Sequence, residues 1–361
     1  MEHKFQINLG GMIDLLSNHL YSSPSVYVRE LLQNGVDAIS ARRQLEPEHI
    51  GSIQIEVAQS DTGMPQLVFT DDGIGLTEDE THRFLSTIGE SSKRGDVLER
   101  SGDFIGQFGI GLLSCFVVAD EIEMVTKSVL SDEPAVEWRG RADGTYSTTV
   151  REDYGEMSPG TTVFLSCKEG SEEWFEPDRL RELVHHFGAL LPFPITVTTI
   201  HGSEVINEQQ PPWRTKHETR REEQKAYIDF GKRLFGQEFF DSIPLHSDVG
   251  DVNGIAYILP YTPNPTARRA HRVYLKNMLL SEASDNLLPN WAFFVTCIVN
   301  TNDLRPTASR ESFYEDDTLQ LTREALGIAL RQYLIDLKEH DPERLHNLIA
   351  LHFRAIKALA V

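Results

Sequence analysis

Glu30, Asn34 and Asp37 stand at i, i+4 and i+7 in the run Arg29-Glu30-Leu31-Leu32-Gln33-Asn34-Gly35-Val36-Asp37. Helical spacing puts all three on one face and leaves Leu31, Leu32 and Ile39 for the other. A carboxylate and an amide one turn apart suit a general base beside an oxygen ligand for Mg2+. A solvated stripe on an amphipathic helix has the same pattern. Further on, Asp71-Asp72-Gly73-Ile74-Gly75 follows the strand-like residues 67–69. An acid at a strand end, with two glycines after it, lets a flat ligand approach the backbone and donate an exocyclic amine such as adenine N6. An ordinary Asp-Gly turn reads the same way. The glycines of Gly106-Gln107-Phe108-Gly109-Ile110-Gly111 are spaced G-x-x-G-x-G. That matches neither the dinucleotide fingerprint nor the phosphate loop with its lysine. Glycines opening a helix still present free N–H groups to phosphate. Pro159-Gly160-Thr161-Thr162 is by itself a turn before a strand.

Both helical and strand periods are present to position these groups. Residues 11–21 place Ile13, Leu16 and Leu20 at helical spacing, and residues 26–42 do the same with Val28, Leu31, Leu32 and Ile39. Ser23 and Ser25, flanking Pro24, are candidate caps for the second helix. Residues 53–57 and 67–69 predict a strand pair about Thr62-Gly63. Residues 77–104 are polar, with three glycines and the pair Ser91-Ser92, and predict a mobile excursion from the core. Short antiparallel strands are expected at 122–126, 136–138, 147–150 and 162–165. The stretch 207–224 is polar, contains prolines and lacks aliphatic residues, which marks a domain boundary. Beyond it, residues 254–259, 272–280 and 293–301 read as strands, and 324–337 and 342–359 carry helical spacing.

A length of 361 residues favours two domains. With Lys+Arg 34 against Asp+Glu 55 the net charge is −21, which disfavours broad binding to nucleic acid. No run reaches the roughly 18 apolar residues of a membrane helix, and Glu2, His3 and Lys4 interrupt the start, against a secretory signal. The three cysteines, Cys115, Cys167 and Cys297, are far apart and fit a reducing cytoplasm better than a disulfide framework. Cys115 reads as a core residue, with no histidine near it in sequence. His185-His186 is the sole adjacent histidine pair and no H-E-x-x-H occurs, so catalytic zinc is not expected. Arg268, Arg269 and Arg272 read as solvated surface.

Four unrelated polar clusters in one order are harder to assign to ordinary turns and faces. RELLQNGVDA, then DDGIGL, then IGQFGIGLLSCFVVAD, then GT, resemble the ATP-binding domain shared by gyrase, heat-shock chaperones, histidine kinases and mismatch-repair ATPases. Within that superfamily, FQINLGGMIDLLSNHLYSSPSVYVRELLQNGVDAI and FIGQFGIGLLSCFVVADEIEMVTK are most similar to the 90-kilodalton heat-shock chaperone family, of bacterial type. HRVYLKNMLLSE, LLPNWAFFVTCIVNTNDL and ASRESF resemble that family's middle domain.

The resemblance implies an α+β protein. A two-layer α/β sandwich of the Bergerat (GHKL) ATPase type would occupy residues 1–210, with a lid over about 77–104, and an incomplete α/β middle domain would occupy 211–361. The family's C-terminal dimerisation domain is not seen, so homodimerisation is expected to be weak or absent in this chain. Glu30 would be the base on the attacking water, and Asn34 would ligate Mg2+. Asp71 would take the adenine amine, with Gly75 and Thr161 completing that end and Asp37 supporting the pocket. The backbone of Gly106, Gln107, Phe108, Gly109, Ile110 and Gly111 would cradle the phosphates. Arg310 would reach the γ-phosphate from the middle domain, as arginine fingers do. The implied function is an ATP-hydrolysing cytoplasmic chaperone, with ATP/ADP and partly folded client proteins as partners and neither nucleic acid nor membrane.

Departures from the family pattern fall on the lid and its surroundings. Glu90 stands where the family has lysine, with Lys93 three residues on, Phe84 replaces an asparagine and Tyr314 a glutamine. They sustain a non-hydrolysing nucleotide-binding scaffold as one alternative. A DNA-acting topoisomerase or mismatch-repair ATPase is another, against which stand the net charge of −21 and an arginine in place of the expected lysine. A sensor histidine kinase would carry its phosphoacceptor helix ahead of the ATP domain, and 29 residues precede Glu30.

Overall fold

The run bearing Glu30, Asn34 and Asp37 is helix α1 (Val26–Leu45) in a computed structural model that describes residues 11, 23–60, 63–85, 111–154, 157–200, 202–208, 210–264, 271–284, 286–307 and 312–359. The predicted helix over 11–21 past Gly11, lid residues 86–104, the loop from Gly106 to Ile110, Arg268-Arg269 and Arg310 lie outside the described residues. Of the two anticipated serine caps, Ser23 acts at the start of α1, its Oγ accepting from Ser25 N at 3.3 Å. Ser25 is itself in the right-handed helical region with no side-chain cap, and its hydroxyl donates to Ser23 Oγ at 3.0 Å instead.

Contacts divide the chain into two units, Met1–Gln209 and Gln210–Val361. In the first, β1 (Ile53–Gln59), β2 (Pro65–Asp71), α2 (Glu78–Leu85), β3 (Ala119–Lys127), β4 (Ala135–Arg141), β5 (Tyr146–Arg151), β6 (Gly160–Cys167), α3 (Pro177–Gly188), β7 (Ile195–Thr199) and β8 (Gly202–Val205) follow α1. Among the described residues the strands form one sheet in the order β5-β4-β3-β6-β2-β1-β7-β8. Neighbours run antiparallel except β1 and β7. Ile53 and Ile55 are buried while Gln54 and Glu56 are exposed, so β1 has one face on the core and one in water. The helical layer covers the core face, with α1 packed on β2, on α3 and on the 3-10 turn Gly111–Val117. This is the two-layer sandwich of the α+β class. Helix α3 buries Leu180, Leu183, Val184 and Phe187, at a helical spacing that the sequence carries.

The second unit contains α4 (Arg220–Phe235), β9 (Asp241–Ser247), β10 (Val252–Ile258), β11 (Arg272–Leu275), β12 (Met278–Ser281), β13 (Val295–Thr301), α5 (Asp317–His340) and α6 (Pro342–Leu359). Its described strands run in the order β12-β11-β13-β10-β9. Every residue of β13 is buried, as a central strand requires when both faces are covered. Helix α4 begins inside the polar stretch that marks the domain boundary. Thr219 caps it, accepting from Glu222 N at 3.2 Å, and Arg220, Arg221 and Glu222 are exposed while Tyr227 and Phe230 are buried. The single strand predicted over 272–280 is instead a hairpin. Lys276 (φ 50°) and Asn277 (φ 68°) adopt the left-handed region that a two-residue connection requires, and lysine carries no sequence signal for it. No helix among the described residues is long and apolar enough to cross a membrane.

Candidate nucleotide-binding site

The polar face of α1 is turned inward. Glu30 is 3% exposed and Asp37 4%, while Asn34, between them, is exposed. Burial of two carboxylates rules out the solvated-stripe reading, because ionisable groups leave water only at a cost that partners must offset. For Glu30 one partner is Arg29, whose Nη2 lies 3.4 Å from Oε1 with both side chains buried. Gly111, opening the 3-10 turn, sits directly against the base: a Cβ there would overlap Glu30 Oε2. Glycine at this position leaves the carboxylate its space. Cys115, one turn on, is fully buried, and burial together with the Glu30 charge pushes its thiol pKa up, against a weaker lowering effect of Ser114. A thiol held protonated is no nucleophile, in keeping with its expected place in the core.

The other end of the site is built by strand alternation. Leu67, Phe69 and Asp71 are the buried residues of β2, so the period of two sends Asp71 to the core side. Burial pushes its carboxyl pKa up to about 8, the Gly73 N–H opposes the shift, and the Asp72 charge adds to it. Gly73 N donates to Asp71 Oδ1 at 2.9 Å. A Cβ at Gly73 would stand 2.5 Å from Ala38 Cβ on α1, and Gly75 (φ 65°) has no room for one beside the Lys127 carbonyl. The two glycines therefore let the loop lie flat between α1 and β3, with Ile74 N donating to Ala38 O at 3.0 Å. Thr161 pairs with Asp71 across β2 and β6 and with Thr126 across β3 and β6.

The structure thus gathers two groups along α1, Glu30 with Gly111 and Asp71 with Gly75 and Thr161, with Asp37 buried on the helix between them. Gly106, Gln107, Phe108, Gly109, Ile110 and Arg310 lie outside the described residues. Of the predicted lid, α2 starts at a capping box, Thr77 N to Glu80 Oε2 at 2.9 Å and Glu80 N to Thr77 Oγ1 at 3.3 Å. His82 Nε2 lies 3.2 Å from Thr148 Oγ1 on β5.

Sequence reasoning missed three supports. Thr126 Oγ1 accepts from Leu76 N at 3.0 Å and reaches Gly160 O at 3.2 Å and Thr161 Oγ1 at 3.0 Å. Ser52 holds the outward-facing Asp72 carboxylate, through N at 2.7 Å and Oγ at 2.9 Å. Arg42 Nη1 donates to Asp72 O at 2.9 Å and Pro159 O at 3.3 Å. No local spacing marks any of these, since each partner is distant in sequence.

Among the described residues no group of three His, Cys, Asp or Glu side chains could hold a metal ion. The exposed Asn34 amide beside Glu30 does fit Mg2+, which takes one or two protein oxygens and completes its shell with phosphates and water.

Residues 21–138, which hold α1, β2 and the Gly111 turn, match the family described as histidine kinase-, DNA gyrase B-, and HSP90-like ATPase. Over most of its length the chain is similar to proteins named as chaperones or heat-shock proteins. It is similar to the chaperone protein HtpG of Cronobacter sakazakii, 27% identical over 94% of this chain and 58% of the relative. HtpG of Methylorubrum extorquens is 29% identical over 90% of this chain and 54% of its own. The mitochondrial heat shock protein 75 kDa of Rattus norvegicus is 26% identical over 95% and 50%. The chain spans just over half the length of the curated relatives it matches.

Proposed function

We propose that the first unit binds ATP with the adenine against Asp71 and hydrolyses it with Glu30 as the base. The observation that carries this reading is the pair of buried carboxyl groups, each placed against a glycine that leaves room for no side chain. Asp71 is suited to accept from the adenine amine, and Gly75 and Thr161 to line that end, with Asp37 behind. Glu30, cleared by Gly111 and paired with Arg29, is suited to orient water and take its proton. Asn34 would hold Mg2+, which neutralises phosphate charge when bound. The glycine loop from Gly106 to Ile110 would present N–H groups to the phosphates, and residues 77–104 would close as a lid.

The activity of the whole protein follows as part of the same proposal: an ATP-driven, cytoplasmic chaperone cycle acting on partly folded proteins, as the relatives named chaperones suggest. The net charge of −21 weighs against the DNA-acting branch of the ATPase family, and a salt-dependent DNA titration with no binding is the expected result. Replacing Glu30 by Ala should leave ATP binding by calorimetry intact and abolish steady-state hydrolysis. Unchanged turnover would remove Glu30 from the base role.

A further inference from the structure

Two loops meet behind the adenine end of the proposed pocket. One is the turn after β2, in which Asp72 follows Asp71 directly; the other is the turn before β6, in which Pro159 stands two residues ahead of Thr161. Asp71 and Thr161 face each other in the β2–β6 register, so a shift of either turn moves one of the two.

The carbonyls of Asp72 and Pro159 converge on a single nitrogen, Arg42 Nη1, at 2.9 and 3.3 Å. Arg42 comes from the last turn of α1, its side chain 14% exposed, and its Nε donates to Glu46 Oε2 at 2.8 Å. Two converging carbonyl dipoles repel, and a guanidinium between them replaces that repulsion with two charge-assisted bonds. The same side chain ties both turns to the helix that carries Glu30.

We propose that Arg42 is a positioning residue that sets nucleotide affinity and base preference by fixing the Asp71–Thr161 spacing, without touching the nucleotide. The inference rests on the ATP-binding reading of the same pocket. Its effect is confined to the adenine end, because Glu30 lies twelve residues, more than three turns, up α1.

The test measures ATP and GTP dissociation constants by calorimetry and kcat at saturating ATP, for the full chain and for Arg42→Met, which keeps the apolar stem and removes the Nη1 donor that the two carbonyls share. Two hydrogen bonds from a charged donor predict an ATP Kd about tenfold higher. The GTP-to-ATP Kd ratio should shrink toward one, while kcat changes less than about twofold. A residue that merely supports the fold would lower the active fraction and thermal stability but leave Kd and the ratio of the folded protein alone. An Arg42→Met chain with the ATP Kd and base preference of the unsubstituted chain overturns the proposal. If that variant does not fold, Arg42→Gln, neutral but able to donate to one carbonyl, serves instead, and parental values there overturn it equally. Failure of the unsubstituted chain to bind ATP would overturn the pocket assignment and this inference with it, whereas tight ATP binding with an indifferent Arg42 removes this inference alone.

Discussion

Replacing Asp71 by Asn should stabilise the first unit at neutral pH while destroying nucleotide binding. The carboxyl pKa rises from 3.8 to about 8, chiefly through burial. A folded-state value above the unfolded one means the folded protein holds this proton more tightly. The associated stability is fully present below pH 4 and is lost as pH rises toward 8. At pH 7 the unfolded chain has gained roughly three pKa units of ionisation that the folded site resists, on the order of 4 kcal/mol at 1.36 kcal/mol per unit. Asparagine has the same shape, can still accept from Gly73 N, and does not titrate. The difference in unfolding free energy between Asp71→Asn and the parent should therefore widen by about 3 kcal/mol from pH 5 to pH 7. Native-state hydrogen exchange of α1 and β2 across this range reads the first unit specifically. Calorimetry should find ATP binding at least about 100-fold weaker, because an amide N–H₂ would face the adenine amine, donor against donor. Parallel pH curves for the two proteins would refute the buried, raised carboxyl, and parental ATP affinity in the variant would refute its role toward adenine.

Gly111→Ala puts a methyl group where Glu30 Oε2 stands, so the base must move; kcat should fall at least about tenfold in steady-state assays, with ATP Kd within about threefold. Thr126→Val keeps the shape of the β3 residue but strands Leu76 N and loosens Gly160 and Thr161. A loss of about 1–3 kcal/mol in unfolding free energy is expected, measured by denaturant titration, together with weaker ATP binding.

Much of this architecture was legible because it rests on local periodicity. The helical spacing of Val28, Leu31, Leu32 and Ile39, the strand pair about Thr62-Gly63 and the antiparallel run through residues 122–165 all appear where spacing puts them. What failed was local conformation without a compositional marker. Lys276 in a left-handed turn looks like any strand residue, and the exposed first turn of α4, with Arg220, Arg221 and Glu222, is as polar as the boundary segment before it.

The candidate site divides along the same line. Residue type and spacing mark the clusters that hold Glu30, Asn34, Asp37, Asp71, Gly75 and Gly111, and the family resemblance is what separates them from solvated faces and ordinary turns. Only the tertiary structure decides that Glu30 and Asp37 are buried while Asn34 faces out, that Asp71 turns to the core and Asp72 away, and that Arg42, Ser52 and Thr126 brace the pocket. Desolvation and hydrogen bonds depend on what lies within a few ångströms in space, and Arg42 meets Pro159 across 117 positions of chain, a distance at which periodicity carries no information.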